Sequence, residues 1–400
     1  MDTTFKQYED IAEEMGWDSC ASALEPGLRA ISADSHLTEP PEAYSRYIDP
    51  AYRDVAPHLA RDPAPGANGD VYIIKDQPPL VFNLAAGAGM DPRTLIRGQG
   101  GFADLHRGGW DPKARLADQD RDGLLAEVLY PTIGMVLCGN PDADYRHACM
   151  VAYNHWLRDF VSEAPDRLIG IGQSAVRSVE DAVADLVRIK ELGLKGAMLP
   201  SDPPFPDMDY DHPAFDPLWA TAVELGLPIS FHTFTGRSGT SAIVSRPPRG
   251  GKITAWNALI RECQDIIGLF IFGRVFERFP DLRMVCVEAD AGWAPHFMSR
   301  MDHAYKRHRF WMKVDELKQL PSDYFKQNIY LTFQDDWVAF NTLDLQNVRR
   351  IMWANDFPHT DSTWPWSHKL IASQTAALTQ EQLDLILWGN VSRLYDLDLG

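Results

Sequence analysis

The sequence predicts an α/β protein: a (β/α)8 TIM barrel with a large insertion after its first strand. Three observations predict it. Eight short apolar runs recur along 400 residues. Amphipathic helical stretches separate them, as in a parallel sheet wrapped by helices. Four of the runs end in ionisable residues, which suits the catalytic rim of a barrel. A Rossmann-like open sheet is the rival, and it leaves those polar ends unexplained.

The strands follow in order. Residues 29–36 (RAISADSH) form the first run. The others are 127–133 (EVLYPTI), 168–174 (LIGIGQS), 195–200 (KGAMLP), 227–233 (LPISFHT), 283–289 (RMVCVEA), 329–334 (IYLTFQ) and 350–356 (RIMWAND). Each is compact, as expected of a strand buried on both faces. Between them, 178–193 opens with the capping-box pattern Ser178-x-x-Asp181 and closes on Gly193. Residues 212–226 keep helical spacing and end on Gly226, 144–165 run to Pro165, and 379–397 give a C-terminal helix and tail. Residues 1–28 read as an N-terminal helical extension and 29–400 as the barrel. The Pro- and Gly-rich stretch 37–110 reads as an inserted cap or oligomerisation segment. The Gly/Ser/Arg-rich loop 234–252 is placed to border a substrate pocket.

Composition narrows the function. There are 38 basic and 56 acidic residues, so the net charge is −18. That argues against nucleic acid or an anionic membrane as the main partner, while a few local cations still suffice for an anionic small-molecule substrate. No run of 18 apolar residues is present, so no transmembrane helix is expected. The acidic start MDTTFKQYEDIAEEMGW is unlike a signal peptide. Five scattered cysteines without a CxxC pair support neither a zinc knuckle nor a disulfide framework, and a cytoplasmic location is the expectation. GxGxxG after a strand, GxxxxGK[ST] and GxSxG are absent.

The strand ends carry the chemistry. Asp34 and His36 are two apart in a strand and share a face. The fifth strand ends Phe231-His232-Thr233, the sixth Val287-Glu288-Ala289-Asp290, and the eighth Asn355-Asp356, followed by His359. Each has a bland alternative: a hydrogen-bonded structural histidine, a capping Asp356, a Glu288 paired with an arginine. Four strand ends agreeing on one rim favour a bound cation, because so many ionisable groups are costly together without one. His296, His303 and His308 read as surface or packing residues.

The segments DSHLTEPP (34–41), HPAFDPLW (212–219), FERFPDLRMVCVEADAGWAPHFMSRMD (276–302), ANDFPHTDSTWP (354–365) and WGNVSRLYDL (388–397) closely resemble the amidohydrolase-related family (amidohydrolase 2). That family includes aminocarboxymuconate-semialdehyde decarboxylase and aromatic acid decarboxylases. The resemblance implies a metal-dependent barrel with ligands Asp34, His36, His232 and Asp356. The chain departs from the decarboxylase pattern in two places: Asp-x-His replaces the His-x-His of the simplest members, and Glu288 stands where decarboxylases carry an acid/base histidine. In both respects it is similar to a minority of the family, nonheme dinuclear monooxygenases such as the 2-aminoisobutyrate hydroxylases.

Two enzyme readings follow. In the first, a dinuclear Fe/Fe or Mn/Fe centre binds O2 and hydroxylates a small carboxylate-bearing substrate. Asp34, His36 and Asp356 hold one metal; His232 and Glu288 hold or bridge the second, with His359 contributing. Tyr130 gates the oxygen species, Arg237 and Arg246 receive the substrate carboxylate, and electrons come from a separate donor. In the second, a single Zn or Mn serves a hydrolase or nonoxidative decarboxylase, with Asp356 as general base and Glu288 as proton shuttle. A third reading is a metal-binding but inactive subunit. The carboxylate count and missing histidine lean to the oxygenase. A homo-oligomer, or a hetero-oligomer with a paralogous subunit, is expected.

Overall fold

Eight parallel strands follow one another around one sheet in chain order: β1 (Ala30–Leu37), β2 (Leu124–Pro131), β3 (Leu168–Gln173), β4 (Gly196–Leu199), β5 (Ile229–His232), β6 (Met284–Val287), β7 (Ile329–Phe333) and β8 (Ile351–Trp353). The structure is a computed structural model and describes residues 5–17, 19, 24–61, 68–96, 99–236, 253–257 and 259–398. All eight strands lie within the runs expected from the sequence or overlap them, and their residues are nearly all buried, as both faces of a barrel sheet require. Among the described residues, no helix is long and apolar enough to cross a membrane.

β1 and β8 share no regular ladder, and the barrel is closed there by single bonds. Asn355 N donates to Ser32 Oγ (2.9 Å), Asp356 N to Asp34 O (3.0 Å) and His36 N to Phe357 O (2.7 Å). Arg115, on the helix α1 (Pro112–Asp122), braces this seam. Its Nη1 donates to His36 O at 2.7 Å and its Nη2 to Phe357 O at 3.1 Å. Its Nε donates to Glu127 Oε2 at 2.5 Å, and Gln119 Nε2 donates to the same oxygen at 2.8 Å. Arg115 and Glu127 are both buried, so the pair is tolerable only because its remaining hydrogen-bonding groups are also met.

The helices largely match, with instructive exceptions. In α2 (Val179–Glu191) Ser178 Oγ accepts from Asp181 N, but the return half of the box is missing because the Asp181 carboxylate pairs with Arg177 instead. The helix expected to reach Pro165 spans Ala143–Val161, ending in turns before the proline. The C-terminal stretch is broken by a π-helical turn at Leu385–Gly389.

The insertion carries a small sheet. His58–Arg61 pairs antiparallel with Asn68–Ile73, which pairs parallel with Gln99–Gly100. It packs onto the end of β1 through the buried Tyr44 and Tyr72. The N-terminal helix Tyr8–Met15 docks on Trp366 and Leu370.

The seam generates a stability prediction. Arg115→Ala leaves Glu127 buried without its cation and frees two seam carbonyls, so urea unfolding should show a loss of about 3–5 kcal/mol. A loss below about 1 kcal/mol would contradict the bracing role.

Candidate metal centre

The rim gathers its donors from two strands, β1 and β5, and the loop after β8. In β1, side chains alternate, so Asp34 and His36 enter the barrel while Ser35 turns to Ser32, Glu127 and Asn355 on the other face. His232 comes from the end of β5 and Asp356 from just beyond β8. Their donor atoms converge. His36 Nε2 lies 3.1 Å from His232 Nε2, 3.5 Å from Asp34 Oδ1 and 3.4 Å from Asp356 Oδ1. His232 Nε2 lies 3.6 Å from Asp34 Oδ1.

The second nitrogens of the two rings decide what these atoms are. His36 Nδ1 is 3.0 Å from Pro131 O and His232 Nδ1 is 3.0 Å from Thr233 O. A carbonyl only accepts, so both rings carry a proton on Nδ1, and each ring in its neutral form presents a lone pair at Nε2. Two lone pairs 3.1 Å apart cannot hydrogen-bond to each other. They repel unless they share a cation, either a proton on the raised His232 or a metal ion in its place. The carboxylates agree: Asp34 Oδ1 and both Asp356 oxygens are buried without a hydrogen-bond partner. Orphaned acceptors facing paired imidazole nitrogens, each backed by a carbonyl, fit a divalent transition metal.

The local electrostatics show the same need. Burial pushes the Asp34 carboxyl up, but the close imidazole of His232, followed by that of His36, holds it well below the usual range. Burial, then the facing His359, push His36 down to about 3. Burial opposes charge on His232 too, yet Asp34 and Glu288 raise it to about 9. Burial, and then the charge of Asp34, hold Asp356 well above the usual carboxylate range. Neighbours that push one another in opposite directions are a cluster lacking a positive centre.

Glu288 sits beside this cluster. Its Oε2 accepts from Thr233 Oγ1 at 2.8 Å and lies 3.6 Å from His232 Nδ1, the ring's rear nitrogen. Its backbone, like that of Asp356, has positive φ (54° and 55°). Both residues are held in a region L-residues seldom adopt, a strain typical of functional sites. Thr332 Oγ1, accepting Glu288 N at 2.8 Å, helps fix it. A cavity of about 130 Å³ opens over Asp34 and Glu288, bordered by Asp290, Phe333, Asp361 and Trp256. A larger open hollow of about 440 Å³ lies on the outer surface beside Tyr305 and Arg309, away from the donors.

A model of the family described as amidohydrolase matches residues 33–397. The chain belongs to the amidohydrolase family. It is 27% identical over 207 residues to 2-amino-3-carboxymuconate-6-semialdehyde decarboxylase of Dictyostelium discoideum, a match covering 51% of this chain and only 54% of that relative. It is 27% identical over 321 residues to decarboxylase orsB of Emericella nidulans, covering 76% of this chain and 89% of the relative. Its fold is similar to that of a 5-carboxyvanillate decarboxylase from Novosphingobium aromaticivorans, complexed with manganese and 4-hydroxy-3-methoxy-5-nitrobenzoic acid (TM-score 0.65, 18% identity, 95% of this chain and 99% of that one).

The structure sorts the expected residues of this amidohydrolase. Asp34, His36, His232 and Asp356 meet. His359 joins at their flank: its Nδ1 is 3.1 Å from Asp356 Oδ1 and its ring stacks on His36 at 3.9 Å. The donors expected for two metals fall into two overlapping groups. The two donor groups found among the described residues, Asp34–His36–His232 and His36–Asp356–His359, share His36, and one Nε2 serves one ion. Glu288 belongs to neither group. Tyr130 lies in register with His36 and its ring is 5.5 Å from that of His232, while its hydroxyl is engaged with Ser230 Oγ (3.0 Å) and Tyr395 Oη (3.4 Å). Arg237 and Arg246 lie outside the described residues. Sequence reasoning missed Arg115, Thr132, Thr233 and Thr332, which position the rim from other segments.

Metal addition tests the cluster. Mn2+ at 100 times its Kd should stabilise the chelator-treated protein by about 2.7 kcal/mol. His232→Ala should abolish that gain, and Glu288→Ala should keep it. Equal stabilisation of the His232 variant would contradict the assignment.

Proposed function

We propose that this amidohydrolase is a metal-dependent nonoxidative decarboxylase of a small aromatic carboxylic acid. The observation that carries the reading is the position of Glu288: a carboxyl outside the donor cluster, on the wall of the cavity above it, with one oxygen already engaged. The two curated relatives, both decarboxylases by name, support it. Asp34, His36, His232 and Asp356 would hold the metal. When bound, a divalent ion supplies Lewis acidity that orients the substrate's carboxylate and adjacent oxygen.

The chain's own residues provide the proton. Loss of CO2 breaks a carbon–carbon bond and leaves an electron pair on the ring carbon, so one proton must be delivered there and no oxidant or reductant is consumed. Glu288 is built to deliver it. Thr233 Oγ1 donates to Oε2, which fixes that oxygen as an acceptor and leaves Oε1 for the proton. Burial, then the negative charge of Asp356, raise this carboxyl well above the usual range, which favours the protonated form. Glu288 thereby takes the place of the histidine expected from the decarboxylase pattern, and regains its proton from water. Phe333 and Trp256 border the cavity and offer apolar faces to an aromatic ring. The oxygenase reading leaned on the carboxylate count and the missing histidine, and Glu288 beside His232 Nδ1, outside the donor groups, weighs against the first of these.

The test is decarboxylation of a panel of hydroxylated benzoates by the Mn2+-loaded enzyme in D2O. CO2 release with one deuteron at the vacated carbon is expected. Glu288→Gln should retain metal and lower kcat by roughly 10²–10⁴-fold, the usual range for general acid–base catalysis. Oxygen consumption coupled to a hydroxylated product, or full activity in Glu288→Gln, would contradict the reading.

A further inference from the structure

Glu39 lies three residues past His36, where the chain leaves β1 for the insertion, and its side chain is wholly buried. Its Oε1 accepts from Gly134 N (2.9 Å) and Tyr44 Oη (3.1 Å). Its Oε2 accepts from Thr132 N and Ile133 N, both at 3.0 Å. Four donors therefore fill the acceptor sites of one carboxylate. Its own carbonyl oxygen accepts from Tyr72 Oη. A buried carboxylate is costly, and here the donors that offset the cost all come from the turn after β2 and from the insertion.

That turn touches the imidazoles. Pro131 O and Thr132 N belong to the same planar peptide unit and point to opposite edges of it. Glu39 grips the N–H edge. The C=O edge takes the Nδ1 proton of His36 at 3.0 Å. One residue on, Thr132 Oγ1 lies 3.1 Å from His359 Nε2. The far side of the turn is closed by Gln173, whose Nε2 donates to Gly134 O at 3.0 Å. A Cβ at Gly134 would sit 2.1 Å from Gln173 Oε1. The peptide plane is thus clamped from both sides.

We propose that Glu39 is a positioning residue of the metal centre: by fixing the 131–132 peptide plane it sets which nitrogen His36 presents to the metal. The insertion then acts on the metal without touching it, because Tyr44 and Tyr72 hold Glu39 in place. The inference rests on reading the Asp34–His36–His232–Asp356 cluster as a metal site and is independent of which reaction occurs there.

The test uses the full chain, labelled with ¹⁵N-histidine and treated with chelator, with the His36 signals identified by their loss in His36→Gln. Wild type should show the Nδ1–H tautomer of His36. Glu39→Gln sets an amide N–H against backbone N–H groups, and should give a mixture of tautomers. Its Mn2+ affinity should fall roughly 10–100-fold, the usual effect of losing an outer-shell partner. Thr132→Val, which keeps the backbone N–H, should leave the His36 tautomer unchanged. If Glu39→Gln does not fold, Tyr44→Phe removes one of the four donors and should shift the tautomer in the same direction with a several-fold loss of affinity. An unchanged tautomer in the folded variant overturns the proposal whatever the affinity does, and the Mn2+ response of wild type separately tests the metal reading itself.

Discussion

The rim depends on how β1 and β8 are joined. Three of the four converging ligands, Asp34, His36 and Asp356, lie on the two sides of that seam, which has no continuous ladder to hold it. The Arg115 guanidinium supplies the missing bonds to His36 O and Phe357 O, while Glu127 neutralises it. A rigid fork of donors suits this task better than a flexible ammonium. The spacing between the β1 side chains and Asp356 is therefore braced by residues that make no contact with the converging atoms.

Around this seam, the site is organised by acceptors. Pro131 O and Thr233 O take the rear protons of the two histidines, so the front nitrogens of the neutral rings are free to bind a cation. Buried oxygens of Asp34 and Asp356 face the same point without donors. In a low-dielectric interior such an arrangement is destabilising by itself and becomes favourable around a cation. Glu288 differs in kind. Thr233 and Thr332 fix its side chain and backbone, and its carboxyl borders the open cavity. In the proposed reaction this separation would let Asp34 and Asp356 face the metal while Glu288 carries the proton.

Much of this was legible in the sequence. The eight strands appear as compact apolar runs, and the two-residue period of Asp34 and His36 puts both on one face. His232 and Asp356 are visible because they end such runs. What periodicity cannot show is direction and partnership. Tyr130 occupies a strand end, yet its hydroxyl is engaged with Ser230. Glu288 follows the sixth strand, but its carboxyl is engaged by Thr233 beside the rear nitrogen of His232, and no local pattern announces that. Arg115 and Glu39 act through hydrogen bonds to segments 79 or more residues away in the chain, so neither could be assigned before the fold. The second half of the Ser178 box failed for a local reason, since Arg177 offers Asp181 a charged partner.

The most direct test of the central claim, a single metal held by Asp34, His36, His232 and Asp356, is metal stoichiometry by elemental analysis of protein purified without added chelator or metal. One divalent transition-metal equivalent per chain, retained in Glu288→Ala and lost in Asp356→Asn, is the predicted result. Two equivalents per chain, with one lost in Glu288→Ala, would contradict it and return Glu288 to the ligand set.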